Sequence, residues 1–209
     1  MTEHDIQKHM WATKDNWENL IVDVKFPEKY LFENEDILKN TLSPDKLVFN
    51  ELIGRLEQTY RNLKGLRLFG YEVPLKKEMD STIRTDLLGI IEGVPGIALI
   101  EIKKSAQTER QAYTELFAYA AHLHSIFPTI SKDDITYVLI SPMEERIVRE
   151  ATIHSFLFDE KPVFAFIPSW TDDNVKTLKL TPWIPSPQDI IHVTESIFSQ
   201  KNFEIFKVT

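Results

Sequence analysis

DLLGIIEGVPGIALIEIK, residues 86–103, sets two short apolar runs on either side of the turn-forming cluster Gly93-Val94-Pro95-Gly96. Leu87, Leu88, Ile90 and Ile91 make up the first run, and Ile97 to Ile100 the second. That order predicts a β-hairpin. Side chains alternate faces along a strand, so Glu101 and Lys103 point one way and Ile102 points the other. Asp86 lies on the neighbouring strand, at the start of its apolar run. Strand interiors beside residues such as Leu99 and Ile100 are usually apolar, which makes this an unusual place for charge. Two carboxylates aimed at one point bind a hard divalent cation through oxygen. A lysine beside them can hold or deprotonate a water on that cation. Metal-assisted hydrolysis of a phosphodiester needs these parts. The same residues also fit an ordinary solvated strand face, with Asp86 capping a turn.

The pattern D-x14-E-x-K on a hairpin, followed by an amphipathic helix, resembles the PD-(D/E)XK nuclease superfamily, whose fold is that of restriction endonucleases. Asp86, Glu101 and Lys103 are the matching residues. Thr85 stands where family members usually carry proline. The resemblance spans roughly residues 45–141. It implies an α/β fold with a mixed central sheet flanked by helices. It also implies that Asp86 and Glu101 bind Mg²⁺, with Mn²⁺ as a substitute, helped by the backbone carbonyl of Ile102. Lys103 would position or activate the attacking water. Some members place a glutamate on the first core helix to share the metal; Glu51 is the candidate here and Glu57 the alternative. In parts of the superfamily a glutamine on the helix after the lysine contacts DNA or orients the site. Gln111 occupies that place, and Thr108-x-x-Gln111 equally has the form of a capping box.

Composition bounds these expectations. The 209 residues, 43% of them hydrophobic, suffice for one sizeable core with added decoration. No apolar run is long enough to cross a membrane. The polar start Met1-Thr2-Glu3-His4-Asp5 lacks the features of a signal peptide, and there is no cysteine, so a cytoplasmic protein is expected. The net charge of −8 argues against a broadly basic, DNA-wrapping surface. Cations would have to act locally, at Lys76-Lys77, Lys103-Lys104, or Arg146 with Arg149.

Taken in order, residues 3–22 suit one or two amphipathic helices through Ile6, Met10, Trp11, Trp17, Leu20 and Ile21. Such a segment packs on the domain or serves as a docking arm. A short helix is expected near 35–40. Ser43-Pro44 starts a longer helix that runs to about Leu63, with Leu47, Val48, Leu52, Ile53, Leu56, Tyr60 and Leu63 inward. Residues 66–75 read as a strand and 82–91 as the strand bearing Asp86, with Arg84 on the same face as Asp86. A helix follows at about 108–127. Ile135 to Ser141 is apolar throughout, as in a strand buried on both faces. A helix at 144–158, strands at 163–167 and 175–180, and a last helix at 188–199 complete the chain. Trp170 and Trp183 could stack on bases or cover a sheet edge. The expected organisation is a helical decoration over 1–42, a nuclease-like core over 43–168, and a Pro/Trp-rich extension with a helix over 169–209.

The function this predicts is metal-dependent cleavage of nucleic acid, DNA favoured, in defence or repair, by a homodimer or a member of a larger complex. Two other readings stay open. One is a non-catalytic interaction subunit that keeps the fold. The other is a metal-dependent hydrolase of a small phosphorylated substrate, which suits the acidic charge better.

Overall fold

The computed structural model describes residues 1–31, 44–74, 84–93 and 96–198. The helix expected near 35–40, the cap residue Ser43 and the Lys76-Lys77 pair lie outside these residues.

Helix α1 (Glu3–Ala12) begins at Thr2, whose hydroxyl accepts the Asp5 N–H while the Asp5 carboxylate accepts the Thr2 N–H. This reciprocal capping satisfies N–H groups that the first turn leaves free. A short 3₁₀ segment (Lys14–Leu20), kinked at Asn16, follows Thr13. Helix α2 (Pro44–Lys64) turns at Gly65 into β1 (Leu66–Pro74), which leads to β2 (Arg84–Ile91), β3 (Ile97–Ile102) and helix α3 (Ala106–Ile126). β4 (Ile135–Ile140), α4 (Arg146–Leu157), β5 (Val163–Thr171), β6 (Asn174–Pro182) and α5 (Pro187–Phe198) complete the order.

The protein is an α/β protein built on one six-stranded mixed sheet, ordered β1-β2-β3-β4-β5-β6. β1 pairs antiparallel with β2, and β2 with β3; β3, β4 and β5 run parallel, and β6 returns antiparallel to β5. Every residue of β4 is buried, as an apolar run in a parallel sheet must be. The β2–β3 hairpin pairs Leu87 with Ile100 and Ile90 with Ile97. At its turn Gly96 comes close to β4, and a Cβ there would sit 2.7 Å from the Asp134 carbonyl oxygen.

The sheet curls so that its two edges share a neighbour. The 3₁₀ segment packs against both β1 and β6, and Ile21 bridges in parallel to Leu180. Trp17 fills the seam at 2% exposure: its indole N–H donates to the Leu63 carbonyl at 2.8 Å and its edge meets Phe166. Helix α3 packs on β2, β3 and β4, whereas α2 packs on β5, α4 and α5.

Several sequence expectations need correction. Leu47 is exposed and Phe49 is buried at the start of α2, whose Leu52, Ile53, Leu56, Tyr60 and Leu63 face inward as expected. A register shift between Leu68 and Gly70 leaves Phe69 exposed, and β1 keeps Leu66, Leu68 and Gly70 buried in alternation before the pattern fades at Tyr71 to Pro74. Glu72 sits at φ 45° and approaches His4 at 3.5 Å. Helix α3 starts two residues early with Ser105 as its cap, so Thr108 and Gln111 form no capping box. Trp183 is buried, and Trp170 of β5 packs against the core.

Candidate active site at the open end of the β2–β3 hairpin

Asp86 is the third residue of β2, and Glu101 nears the end of β3. The register that pairs Leu87 with Ile100 continues one step to set them side by side. The ladder opens here. The Ile102 N–H donates at 2.8 Å to Asp86 Oδ2, so a side-chain carboxylate takes the place of a backbone acceptor. Lys103 follows on the same face as Glu101, and its backbone N–H donates to the Ile140 carbonyl on β4 at 2.8 Å. The side-chain ammonium of Lys103 lies 2.8 Å from Glu101 Oε1 and also contacts Glu115 of α3. Glu101 and Lys103 are buried, and Asp86 is half-buried.

The structure therefore brings together Asp86, Glu101 and Lys103, and it adds two residues the sequence reading did not assign to the site. Glu115 grips Lys103 from α3, one helical turn beyond Gln111. Its signal was its place in a polar stripe one residue before buried Leu116. Gln7 of α1 is buried and donates through Nε2 to the Asp86 carbonyl at 3.0 Å and to Asp86 Oδ1 at 3.4 Å. Its signal was a glutamine beside Ile6 on the apolar side of a helix. Gln111 itself is exposed. Glu51 is exposed and pairs with Arg55 at 3.9 Å, while Glu57 pairs with Arg61. Neither reaches Asp86 or Glu101 in any described contact, because α2 lies against β5, α4 and α5. Arg84 is exposed at the start of β2.

Charge at the site is unbalanced: three carboxylates surround one ammonium. Burial pushes Asp86 up to about 6, against the pull of the Ile102 N–H and the Lys103 charge. Burial, the Asp86 charge and the nearby Glu115 carboxyl push Glu101 up to about 9, despite Lys103. Burial alone would lower Lys103, but Glu101 and Glu115 outweigh it and hold the ammonium above the usual lysine range. Glu115 ends below its usual range, because contacts from Glu101 and Lys103 overcome its desolvation. Tyr119, buried on α3, is raised by burial and by the three carboxylates.

One atom stands out. Glu101 Oε2 is buried and has no hydrogen-bond partner, the only such side-chain atom among the described residues. A buried acceptor left unsatisfied is costly, and it suits a hard cation. The donors available are all oxygens, the ligand type Mg²⁺ and Mn²⁺ prefer. Among the described residues no three Asp, Glu or His side chains are arranged to hold one metal ion. A cation here would rest on Asp86 and Glu101 and fill its other positions with water, backbone or substrate oxygen, as Mg²⁺ commonly does.

The flanking loop is also held by an acid. Glu109, fully buried on α3, accepts from Ser141 Oγ at 2.6 Å, from the Met143 N–H at 3.0 Å and from the Glu145 N–H at 2.5 Å. The cation clusters expected to meet nucleic acid are largely engaged: Arg146 pairs with Glu150 and Arg149 with Asp189.

No protein-family model matches this chain, and no curated protein or solved structure matches it. No helix among the described residues is long and apolar enough to cross a membrane.

Proposed function

We propose that this chain is a metal-dependent nuclease of the PD-(D/E)XK type, with a restriction-endonuclease-like core, that hydrolyses phosphodiester bonds in nucleic acid, DNA favoured. The observation that carries the proposal is the gathering of Asp86, Glu101 and Lys103 at the open end of one hairpin, with Glu101 Oε2 buried and unsatisfied. The element order from α2 to β4, with three antiparallel strands, a helix and a parallel fourth strand, also supports it.

Asp86 and Glu101 would hold Mg²⁺, with the Ile102 carbonyl as the backbone candidate. When bound, the ion supplies Lewis-acid stabilisation of charge on the phosphoryl oxygens and the leaving group. Lys103 works as a cation. With two carboxylates against it, its ammonium stays protonated at neutral pH. It therefore donates to the attacking water or to a phosphoryl oxygen and does not remove a proton. Glu115 holds the lysine from the other side and narrows its rotamers.

The test is Mn²⁺ binding by calorimetry on wild type and Asp86→Ala, followed by cleavage assays on duplex and single-stranded DNA and RNA. Binding that vanishes with Asp86, together with cleavage that needs the ion, supports the proposal. A wild type that neither binds the ion nor cuts overturns it.

A second reading, hydrolysis of a small phosphorylated substrate, is favoured by the net charge of −8 and by the engaged state of Arg146 and Arg149. Salt separates the two. Polymer binding weakens steeply with salt because counterions are released, whereas a small substrate responds weakly.

A further inference from the structure

Helix α1 precedes the hairpin by some 75 residues in sequence, yet it lies across the site. Ile6 and Met10 are fully buried beneath it. At its start, Glu3 Oε1 accepts from the Lys104 N–H at 2.8 Å and from Thr108 Oγ1 at 3.0 Å, so the helix is tied to the residues just after Lys103. Between these anchors Gln7 turns inward. Its side chain is 5% exposed, and burying an amide is costly unless it is bonded. The bonds it makes go to Asp86, at the backbone carbonyl and at Oδ1.

We propose that Gln7 is a positioning residue for Asp86. Its amide and the Ile102 N–H hold the two carboxylate oxygens from opposite sides and fix the plane in which the carboxylate faces Glu101. The proposal deepens the metal-site reading above and rests on it for its functional consequence, though not for its geometry. The residue type fits the surroundings. A glutamate at position 7 would add a fourth carboxylate to Asp86, Glu101 and Glu115. A lysine or arginine would neutralise Asp86 and compete with a cation. An amide donates a hydrogen bond and adds no charge. Partners that orient a ligating carboxylate typically matter about 10–100-fold in metal affinity.

The experiment uses the full chain with Gln7→Met, which keeps the length and removes the donor, beside Ile6→Val, which disturbs packing of the same helix and leaves the amide. Two readouts are taken: hydrogen exchange at the Ile102 amide, which reports the Asp86 carboxylate directly, and Mn²⁺ affinity by calorimetry. In Gln7→Met, Ile102 exchanges about tenfold faster and Mn²⁺ binds about tenfold more weakly, while Ile6→Val leaves both near wild type. Unchanged Ile102 exchange in Gln7→Met, or an equal change in Ile6→Val, overturns the proposal. If the wild type binds no Mn²⁺, the metal-site reading falls and Ile102 exchange alone decides the role of Gln7. Should Gln7→Met not fold, Gln7→Glu is read by the same two measurements.

Discussion

The Ile102 N–H donates to Asp86 Oδ2 at 2.8 Å, so the backbone of one strand of the hairpin holds a carboxylate carried by the other. The bond forms where the β2–β3 ladder ends, and it lets both carboxylates sit side by side although like charges repel. The repulsion is relieved by protonation: burial raises Asp86 to about 6 and Glu101 to about 9. The site is therefore a carboxyl pair that holds its protons more tightly than free carboxyls do.

Separate roles for the carboxylate and the ammonium should show in two variants. Asp86→Ala is expected to abolish both Mn²⁺ binding and cleavage. Lys103→Ala is expected to keep Mn²⁺ binding and slow cleavage by about 10²–10³-fold, the usual cost of losing one positioned donor to developing charge. Calorimetry and single-turnover cleavage check the pair. Wild-type cutting by Asp86→Ala would falsify the site assignment.

Metal binding should release protons. With Glu101 protonated up to about pH 9, a cation that takes its carboxylate must displace a proton, so Mn²⁺ affinity is expected to rise from pH 6 to 9. Calorimetry in buffers of differing ionisation enthalpy measures the number released, expected near one at pH 7.5. A count of zero sinks this account of Glu101.

Stability of the metal-free protein should fall with rising pH through the same group. Glu101 is raised from 4.5 to about 9, so the folded state binds its proton more tightly than the unfolded chain. Its contribution is complete below 4.5 and is lost as pH climbs through about 9. Asp86 adds a smaller slope of the same sign between 3.8 and about 6. Lys103, a raised base, keeps its contribution across this window and loses it only at higher pH. Urea unfolding at pH 5.5, 7.5 and 9 should show the decline, and Glu101→Gln should flatten it. An equal slope in the variant would assign the effect elsewhere.

Closure of the curled sheet should depend on Trp17. It is 2% exposed and donates to the Leu63 carbonyl where the 3₁₀ segment spans β1 and β6. Trp17→Ala is expected to cost about 3–5 kcal/mol. Trp17→Phe keeps most of the volume and should cost about 1–3 kcal/mol for the orphaned carbonyl. Chemical denaturation checks both, and a Trp17→Ala loss below 1 kcal/mol would show that the seam closes without it.

Much of the hairpin was legible. Two apolar runs around a Gly/Pro cluster specify paired strands whatever the rest of the chain does, and the period of two then sets Glu101 and Lys103 on one face with Ile102 opposite. The continuous apolar run 135–140 likewise specified a buried parallel strand. Gln111 is exposed on α3 while Glu115, one turn on, contacts Lys103, and which of the two faces the lysine is set by how α3 packs on β3. Glu51 lay on a plausible helix, but which sheet face and which strands a helix covers is a packing outcome that its own stripe does not encode.

By itself, then, the sequence determined the strands, most helices and the local pairing of an acid with a lysine, because these follow from periodicities of two and 3.6 residues and from turn chemistry. The tertiary structure alone decided which distant groups complete the site. Gln7 and Glu115 reach Asp86 and Lys103 only because α1 and α3 pack against the same end of the hairpin. The raised affinity of Glu101 for a proton is likewise a property of burial beside Asp86, which no single segment carries.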